Sequence, residues 1–278
     1  MPNSKLILIE GIPGSGKTTA ARAVHDWLKN QGRNPKLFLE GDWNHPADFE
    51  SVACLSESEY SELLAQFPQQ AVFLAQHARQ ESSDVFFSYR QMQAECAACA
   101  PDTLFEALAR FEIYDLPAQK HQDLLQRSWE KFALRAATEE TIYIFECCFL
   151  QNPITTLLAR HNLAEEQIHR HILALSRSIQ PLQPKVIYLA QKNVSATLEA
   201  VRRERPQEWA DFVTWYLTGQ AYGQSRGLEG FEGVKTFYAA RQALEMDWLK
   251  TLPLSTTIIP DDGDWGVRYK HLTTFLEE

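Results

Sequence analysis

The sequence predicts an α/β protein built around a parallel β-sheet, and three observations carry this prediction. Short apolar runs alternate with segments of helical periodicity along the 278-residue chain. The first apolar run ends in a glycine-rich loop that leads directly into a helix. Hydrophobic residues make up 45% of the chain, enough to cover a sheet on both faces. We therefore expect a three-layer α/β/α fold with five parallel strands in the order 2-3-1-4-5 and large helical insertions.

The first strand and the first helix frame a phosphate-binding motif. Residues 6–9 (LILI) are typical of a short buried strand, and residues 17–29 carry apolar positions at helical spacing. Between them, residues 11–18 (GIPGSGKT) fit the pattern G-x-x-x-x-G-K-[ST]. Backbone N–H groups of such a loop and of the following helix cradle phosphate oxygens. The motif therefore predicts that the protein binds a nucleoside triphosphate.

Individual roles follow from the motif. Lys17 is expected to reach the β- and γ-phosphates and to take part in catalysis, and the Thr18 hydroxyl is expected to bind Mg²⁺. The residues expected to contact ATP are Gly11, Pro13, Gly14, Ser15, Gly16, Lys17, Thr18 and Thr19.

Four further apolar runs predict the other strands of the sheet. They are residues 36–40, 141–149, 185–190 and 255–260. Helical segments connect them, and a last helix closes the chain. Strands that alternate with helices form a parallel sheet. The same alternation continues along the chain, so residues 1–278 are predicted to be a single domain.

Two stretches of helical pattern exceed what such a sheet needs. Residues 57–140 are almost wholly helical in pattern, with breaks at prolines. We predict a helical insert on the acceptor side at residues 43–140 and a helical lid or cover at residues 202–251.

Polar residues follow the second strand. Ligands of parallel sheets bind beyond the carboxyl ends of the strands, so Glu40, Asp42 and His45 are candidate substrate contacts. A carboxylate here would accept or orient the proton of a substrate hydroxyl. Asp42 is the candidate for this catalytic role, although the choice between Glu40 and Asp42 stays open, and Gly41-Asp42 is also typical of a plain turn. Arg90, within the insert, is a further candidate substrate contact.

An acidic residue follows the apolar run of the third strand. Glu146 comes after IYIF, which is the Walker-B arrangement, and its expected role is to hold Mg²⁺ together with Thr18. The alternative is a glutamate that only satisfies a neighbouring helix terminus.

Two arginines lie near the end of the helix after the fourth strand. Arg202 and Arg205 are three positions apart and are expected on one helical face. Their guanidinium groups would stabilise the transferring phosphoryl group or, for Arg202, contact the nucleotide base, so both are candidate catalytic residues. The alternative is a solvated basic helix end that the helix dipole favours.

Composition excludes several classes of function. A net charge of −9 argues against a nucleic-acid partner, which needs a concentrated basic face. No apolar run is long enough for a membrane span and no signal peptide precedes the first strand, so we expect a cytoplasmic protein without a membrane partner. The five cysteines lack the spacing of a disulfide scaffold, which favours a reducing compartment. Cys96 and Cys99 are interpreted as small packing residues rather than a redox or zinc pair. The oligomeric state stays open.

Three stretches resemble the P-loop kinases of small molecules, the nucleoside- and nucleotide-kinase-like group. GIPGSGKTT resembles their phosphate loop, FECCF stands in the place of their acidic third-strand end, and IYLAQKNVSATLEAVRRER resembles their fourth strand and the helix that leads to an arginine-bearing lid. The resemblance implies that Arg202 lies near the adenine and that Arg205 contacts phosphates. The chain lacks the Asp/Glu-Arg pair often found after strand three, and its insert between strands two and three is much larger.

The expected function is that of an ATP- and Mg²⁺-dependent kinase. It would transfer the γ-phosphoryl group to a hydroxyl or phosphate on a small acceptor of nucleoside or nucleotide type, held under the insert at residues 43–140. The alternative is a nucleotide-gated regulatory ATPase or binding protein whose insert docks a macromolecular partner.

Overall fold

The structure is a computed structural model, and it describes residues 4–96 and 99–278. Within these residues, eight strands form a five-stranded sheet and a three-stranded sheet. The strands are β1 (Leu6–Gly11), β2 (Pro35–Phe38), β3 (Val52–Ser56), β4 (Arg79–Glu81), β5 (Asp84–Ser88), β6 (Ile142–Glu146), β7 (Lys185–Ala190) and β8 (Ser255–Pro260).

Helices connect the strands. They are α1 (Lys17–Asn30), α2 (Glu57–Gln66), α3 (Ala71–His77), α4 (Tyr89–Glu95), α5 (Asp102–Ala109), α6 (Ala118–Ala137), α7 (Gln151–Thr155), α8 (Glu165–Ile179), α9 (Val194–Glu204), α10 (Gln207–Thr218), α11 (Ala221–Arg226), α12 (Gly230–Trp248) and α13 (Trp265–Glu277). A π-helical turn, Thr156–Arg160, continues α7. The predicted helical character of residues 202–251 is confirmed by α10, α11 and α12. Among the described residues, no helix is both long and apolar enough to cross a membrane.

The larger sheet is all parallel, as predicted, and runs in the order β2-β6-β1-β7-β8. The three inner strands are buried on both faces, which is why their sequences are nearly continuous apolar runs. The pairing aligns the ends of β6 and β1, with Glu146 opposite Ile9. The carboxyl ends of these strands therefore meet at one edge of the sheet.

Helices pack on both faces of this sheet. Ile7 and Ile9 of β1 share one apolar cluster with α1 and α13. On β7, Ile187 lies in the same cluster. The hydroxyl of the next residue, Tyr188, donates a hydrogen bond to Glu245 of α12. Because successive strand residues point to opposite faces, α12 covers the face opposite α1.

The chain divides into two compact units. We call Met1–Glu40 with Trp129–Glu278 the sheet unit, and Gly41–Ser128 the insert unit. The insert unit spans most of the insert predicted at residues 43–140. The chain returns to the sheet unit within α6, at Trp129.

The expectation of an almost wholly helical insert was wrong. Its strands β3, β5 and β4 form a separate antiparallel sheet that was not predicted. These three strands lie between β2 and β6 in the chain, so the order written 2-3-1-4-5 becomes β2-β6-β1-β7-β8 among the eight described strands. The cause is that β3 (VACLS) and β5 (DVFFS) are five residues long and contain apolar runs of only four and three residues. Periodicity alone cannot tell so short an apolar run from a buried helical segment.

The cysteine interpretation also needs correction. Cys96 and Cys99 form a disulfide across a Cα–Cα distance of 5.3 Å, directly after α4. That distance lies within the range that a disulfide spans. The spacing of the two cysteines allowed a redox pair, and the interpretation as packing residues set that alternative aside. Cys54, Cys147 and Cys148 are buried, and none of them belongs to a disulfide among the described residues.

Candidate functional site

The centre of the candidate site is the glycine-rich loop, residues 11–16, between β1 and α1. Gly11 and Gly14 have backbone φ angles of 147° and 80°, which residues with a side chain rarely adopt. A Cβ on Gly14 would lie 2.3 Å from Val201 Cγ2 of α9, and one on Gly11 would lie 2.7 Å from the Leu189 carbonyl oxygen. The loop therefore needs glycine both for its backbone angles and for its close contact with α9 and β7.

Donor groups of the loop converge at the start of α1. The Lys17 side chain is buried and its Nζ donates to the Ile12 carbonyl oxygen at 3.0 Å, inside the loop itself. The Ser15 hydroxyl is buried and has no hydrogen-bond partner among the described residues. Neither a side-chain cap nor a first-turn carboxylate was found at the α1 N-terminus among these residues. These groups are the ones that bind an anion at a helix N-terminus.

Acidic groups lie beside the loop. Thr18 Oγ1 donates to Glu146 Oε1 at 2.7 Å, and the Glu40 backbone N–H donates to Glu146 Oε2 at 3.4 Å. Side-chain ligand atoms of Glu40, Glu146 and Cys147 lie within 4.8 Å of one another. Burial raises the pKa of the Cys147 thiol well above its usual value, so this sulfur stays protonated. The oxygen ligands that remain suit a hard cation such as Mg²⁺.

The turn after β6 holds Glu40 in place. The predicted strand 141–149 ends early, at Glu146, because Cys147 has a φ of 58°. The turn then leads into α7, whose first residue, Gln151, donates from Nε2 to Glu40 Oε1 at 2.9 Å. Glu40 is therefore tied to the same edge of the sheet as Glu146.

Sequence reasoning missed Glu10, which organises this turn. Its fully buried carboxylate accepts hydrogen bonds from the backbone N–H groups of Phe149 at 2.9 Å and Gln151 at 3.0 Å. Burial raises the pKa of Glu10 to about 7. A signal was present in the sequence, because an acidic residue inside an apolar strand needs a buried partner.

Sequence reasoning also missed Arg268 of α13. The side chain is nearly buried, and its Nη1 donates to the Ser15 carbonyl oxygen at 3.0 Å. Its Nη2 is 2.5 Å from Asp261 Oδ1. In the sequence, nothing distinguishes Arg268 from a cation on the exposed face of a helix. Its contact with the Ser15 carbonyl becomes apparent only because α13 packs next to the glycine-rich loop.

The two predicted arginines do not share a helical face. Arg202 lies in α9, but Arg205 follows the end of that helix in an extended conformation, with ψ of 156°. The cause is Pro206, because a proline disfavours helical geometry in the residue before it. Both side chains are exposed, with Arg202 4.7 Å from the Phe231 ring centroid and Arg205 5.3 Å from that of Trp209.

The predicted substrate contacts of the insert unit make local hydrogen bonds. Asp42 Oδ1 accepts from the Asn44 backbone N–H at 2.9 Å, as in the turn that sequence analysis left open. His45 Nδ1 accepts from the Asp48 N–H at 2.7 Å, and burial lowers the pKa of His45 to about 3, so the ring is neutral. Arg90 is exposed and donates to Gln93 Oε1 at 3.2 Å.

No protein-family model matches the chain, and neither does any curated protein.

Proposed function

We propose that the chain is a P-loop kinase that transfers the γ-phosphoryl group of ATP to a hydroxyl or phosphate on a small-molecule acceptor. The observation that carries the proposal is the 2.7 Å hydrogen bond between Thr18 and Glu146. It joins the hydroxyl that ends the G-x-x-x-x-G-K-[ST] motif to an acidic residue at the end of the neighbouring strand. This pair is what a nucleotide–metal site of this class requires.

The loop residues fit a triphosphate. The Ser15 hydroxyl, which has no hydrogen-bond partner among the described residues, and the α1 N-terminus offer donors to phosphate oxygens. Gly14 allows the loop to pack closely against α9. Lys17 would exchange its bond to the Ile12 carbonyl for bonds to the β- and γ-phosphates. Gly11, Pro13, Gly16 and Thr19 complete the proposed ATP contacts.

The acidic groups fit Mg²⁺. Thr18 and Glu146 would hold the ion, with Glu40 close enough to contribute through water. When bound, Mg²⁺ neutralises negative charge on the phosphate oxygens.

In the proposed reaction the acceptor hydroxyl oxygen attacks the γ-phosphorus and the bond to the bridging β–γ oxygen breaks, so ADP leaves. The hydroxyl proton passes to a carboxylate, and we assign this role to Glu40. The hydrogen bond from Gln151 orients the Glu40 carboxylate, and the Glu40 backbone N–H contacts Glu146 of the proposed metal site. The hydrogen bond that Asp42 accepts comes from Asn44 in its own turn and does not link it to that site. Asp42 stays the second candidate, and His45 and Arg90 stay candidate acceptor contacts.

Charge on the transferring group needs a further cation. We assign this role to Arg205, with Arg202 near the adenine, as the resemblance implies. Both guanidinium groups are exposed beside aromatic rings, so they can reorient toward a ligand without leaving a buried site.

The test is an assay of labelled γ-phosphate transfer from MgATP to a panel of nucleosides, nucleotides and other hydroxyl compounds. We expect transfer to at least one acceptor, and loss of about 10³-fold in turnover in Lys17→Ala, because Lys17 contacts the charge of the transferring group. Arg22→Ala, an exposed cation on α1, is the matched control and should keep full activity. Undiminished turnover in a folded Lys17→Ala protein would refute the proposal.

One observation favours a second candidate function. The insert unit has its own antiparallel sheet and its own apolar core, which a module for docking a macromolecule would need. A nucleotide-gated regulatory ATPase would hydrolyse MgATP without an acceptor, at a rate that a protein partner changes. Steady hydrolysis with no transfer to any acceptor would favour this second function.

A further inference from the structure

Arg241 of α12 is a fully buried cation that touches the glycine-rich loop. Its Nη2 donates to the Gly11 carbonyl oxygen at 3.1 Å, and its Nη1 donates to Thr155 Oγ1 at 2.8 Å. One side chain thus connects the first residue of the loop to the last residue of α7. These are the segments that follow β1 and β6, which carry the proposed phosphate and metal contacts.

The Arg241 guanidinium group is aligned for hydrogen bonds with Gly11 and Thr155 rather than with its counter-ion, Glu245. Arg241 Nε lies 3.1 Å from Glu245 Oε1, so the two form an ion pair, but they lack the alignment of a hydrogen bond. The two Nη groups, in contrast, meet Gly11 and Thr155 in hydrogen-bonding geometry. Glu245 supplies the negative charge that a buried cation requires, and it is itself fixed by the Tyr188 hydroxyl at 2.5 Å.

A purely stabilising ion pair would not need these contacts. Arg241 and Glu245 lie four positions apart on one helix and would attract each other in any packing of α12. The Gly11 carbonyl, in contrast, starts a loop whose backbone angles only glycine adopts readily. A donor that holds this carbonyl limits the positions of the N–H groups that follow it.

We propose that Arg241 is a positioning residue, which holds the glycine-rich loop in register with α7 and so preorganises it for the triphosphate. This inference rests on the proposed function for its link to nucleotide binding. The positioning itself can be measured without any ligand.

The experiment compares three variants. Arg241→Lys keeps a positive charge for Glu245 but loses the two Nη donors. Glu245→Gln is the matched control, because it weakens the ion pair and leaves Gly11 and Thr155 untouched. Thr155→Val removes the α7 acceptor, and Thr155→Ser restores it.

The first readout is amide hydrogen exchange of residues 11–20 in the ligand-free protein. We expect faster exchange in Arg241→Lys and Thr155→Val but not in Glu245→Gln or Thr155→Ser. The second readout is the Kd for MgATP, expected to rise about tenfold in Arg241→Lys, the effect of losing a charged hydrogen bond.

A purely structural role predicts a different pattern. It would lower the thermal stability of Arg241→Lys and Glu245→Gln alike and leave loop exchange unchanged in both, and this result would overturn the inference. If Arg241→Lys does not fold, equal loop exchange in Thr155→Val and Thr155→Ser would overturn it. Wild-type protein that does not bind MgATP would overturn the proposed function, whereas the exchange data would still decide the positioning.

Discussion

The two units of the molecule differ most in what they bury. In the insert unit, the described residues that are both buried and polar are Asp48 and His121. Asp48 accepts hydrogen bonds from the Phe49 backbone N–H and the Tyr114 hydroxyl, and His121 Nδ1 bonds to the Ile113 carbonyl oxygen. The sheet unit buries many charged side chains, several of them around the glycine-rich loop: Glu10, Lys17, Glu146, Arg241, Glu245 and Arg268.

The core of the insert unit is apolar, whereas the sheet unit buries charged groups near its glycine-rich loop. A buried charged side chain lowers the stability of the fold unless it is paired. Several buried charges in one unit therefore either serve a function or reduce the stability of that unit. The insert unit is instead held by apolar groups such as Leu55, Leu104 and Phe87. Among the described residues, the buried charges are thus concentrated in the sheet unit, where we propose the nucleotide site.

Glu146→Gln tests whether the buried charges of the sheet unit serve catalysis. The substitution keeps an oxygen for the Thr18 hydroxyl but removes the charge beside it, so we expect the fold to survive and turnover to fall about 10³-fold. Turnover across a Mg²⁺ titration is the measurement. Glu140→Gln, an exposed neighbour in sequence, should leave activity unchanged. Full activity in Glu146→Gln would remove the metal assignment.

Substitutions that create a cavity in the core of each unit test whether a loss of stability also changes nucleotide binding. Phe87→Ala in the insert unit and Phe132→Ala in the sheet unit each remove a buried ring, so the free energy of unfolding should fall by about 3–5 kcal/mol in both. Denaturant unfolding measures this loss. For Phe87→Ala we expect the Kd for MgATP to stay within about twofold of wild type, since the residues proposed to bind the nucleotide belong to the sheet unit. A Kd that rises together with the loss of stability would contradict this separation.

Paired carboxylate variants decide which unit supplies the base. Glu40→Gln should cut turnover on the true acceptor about 10²-fold, the scale of a general base, with ATP affinity nearly intact. Asp42→Asn keeps the side-chain oxygen that accepts from Asn44 and should have the smaller effect. Steady-state kcat on one acceptor compares the two. A larger loss in Asp42→Asn would move the base to the insert unit.

The smallest expected effect is a pH dependence of stability from Glu10. Its pKa is about 7 in the folded protein, against 4.5 ordinarily, so the folded state binds more protons between these values. This contribution to stability is therefore complete below about pH 4.5 and is lost as pH rises toward 7, with a slope of at most about 1.4 kcal/mol per pH unit. Urea unfolding from pH 4.5 to 8 should show this slope, reduced in Glu10→Gln. An identical pH profile in Glu10→Gln would exclude Glu10 as its source.

Several elements could be predicted from sequence because their signals are local. The run at 255–260 and the helix after the glycine-rich loop appear in the structure at nearly the predicted bounds, since apolar spacing and glycine positions act within a few residues. The insert sheet could not be predicted this way. Val52 pairs with Ser88 across 36 positions, and no periodicity inside either run indicates that partner.

The motif at residues 11–18, the parallel sheet and the acidic end of β6 could be predicted from sequence, because each is encoded by neighbours along the chain. Which charged groups meet could not be predicted, because their contacts form only when distant segments pack together. Arg241 reaches Gly11 across 230 positions, and Glu10 reaches Phe149 across 139. The physical reason is burial. A charged side chain looks the same in sequence whether solvent or a buried partner balances it, and only the packing of α12 and of the turn after β6 removes the solvent.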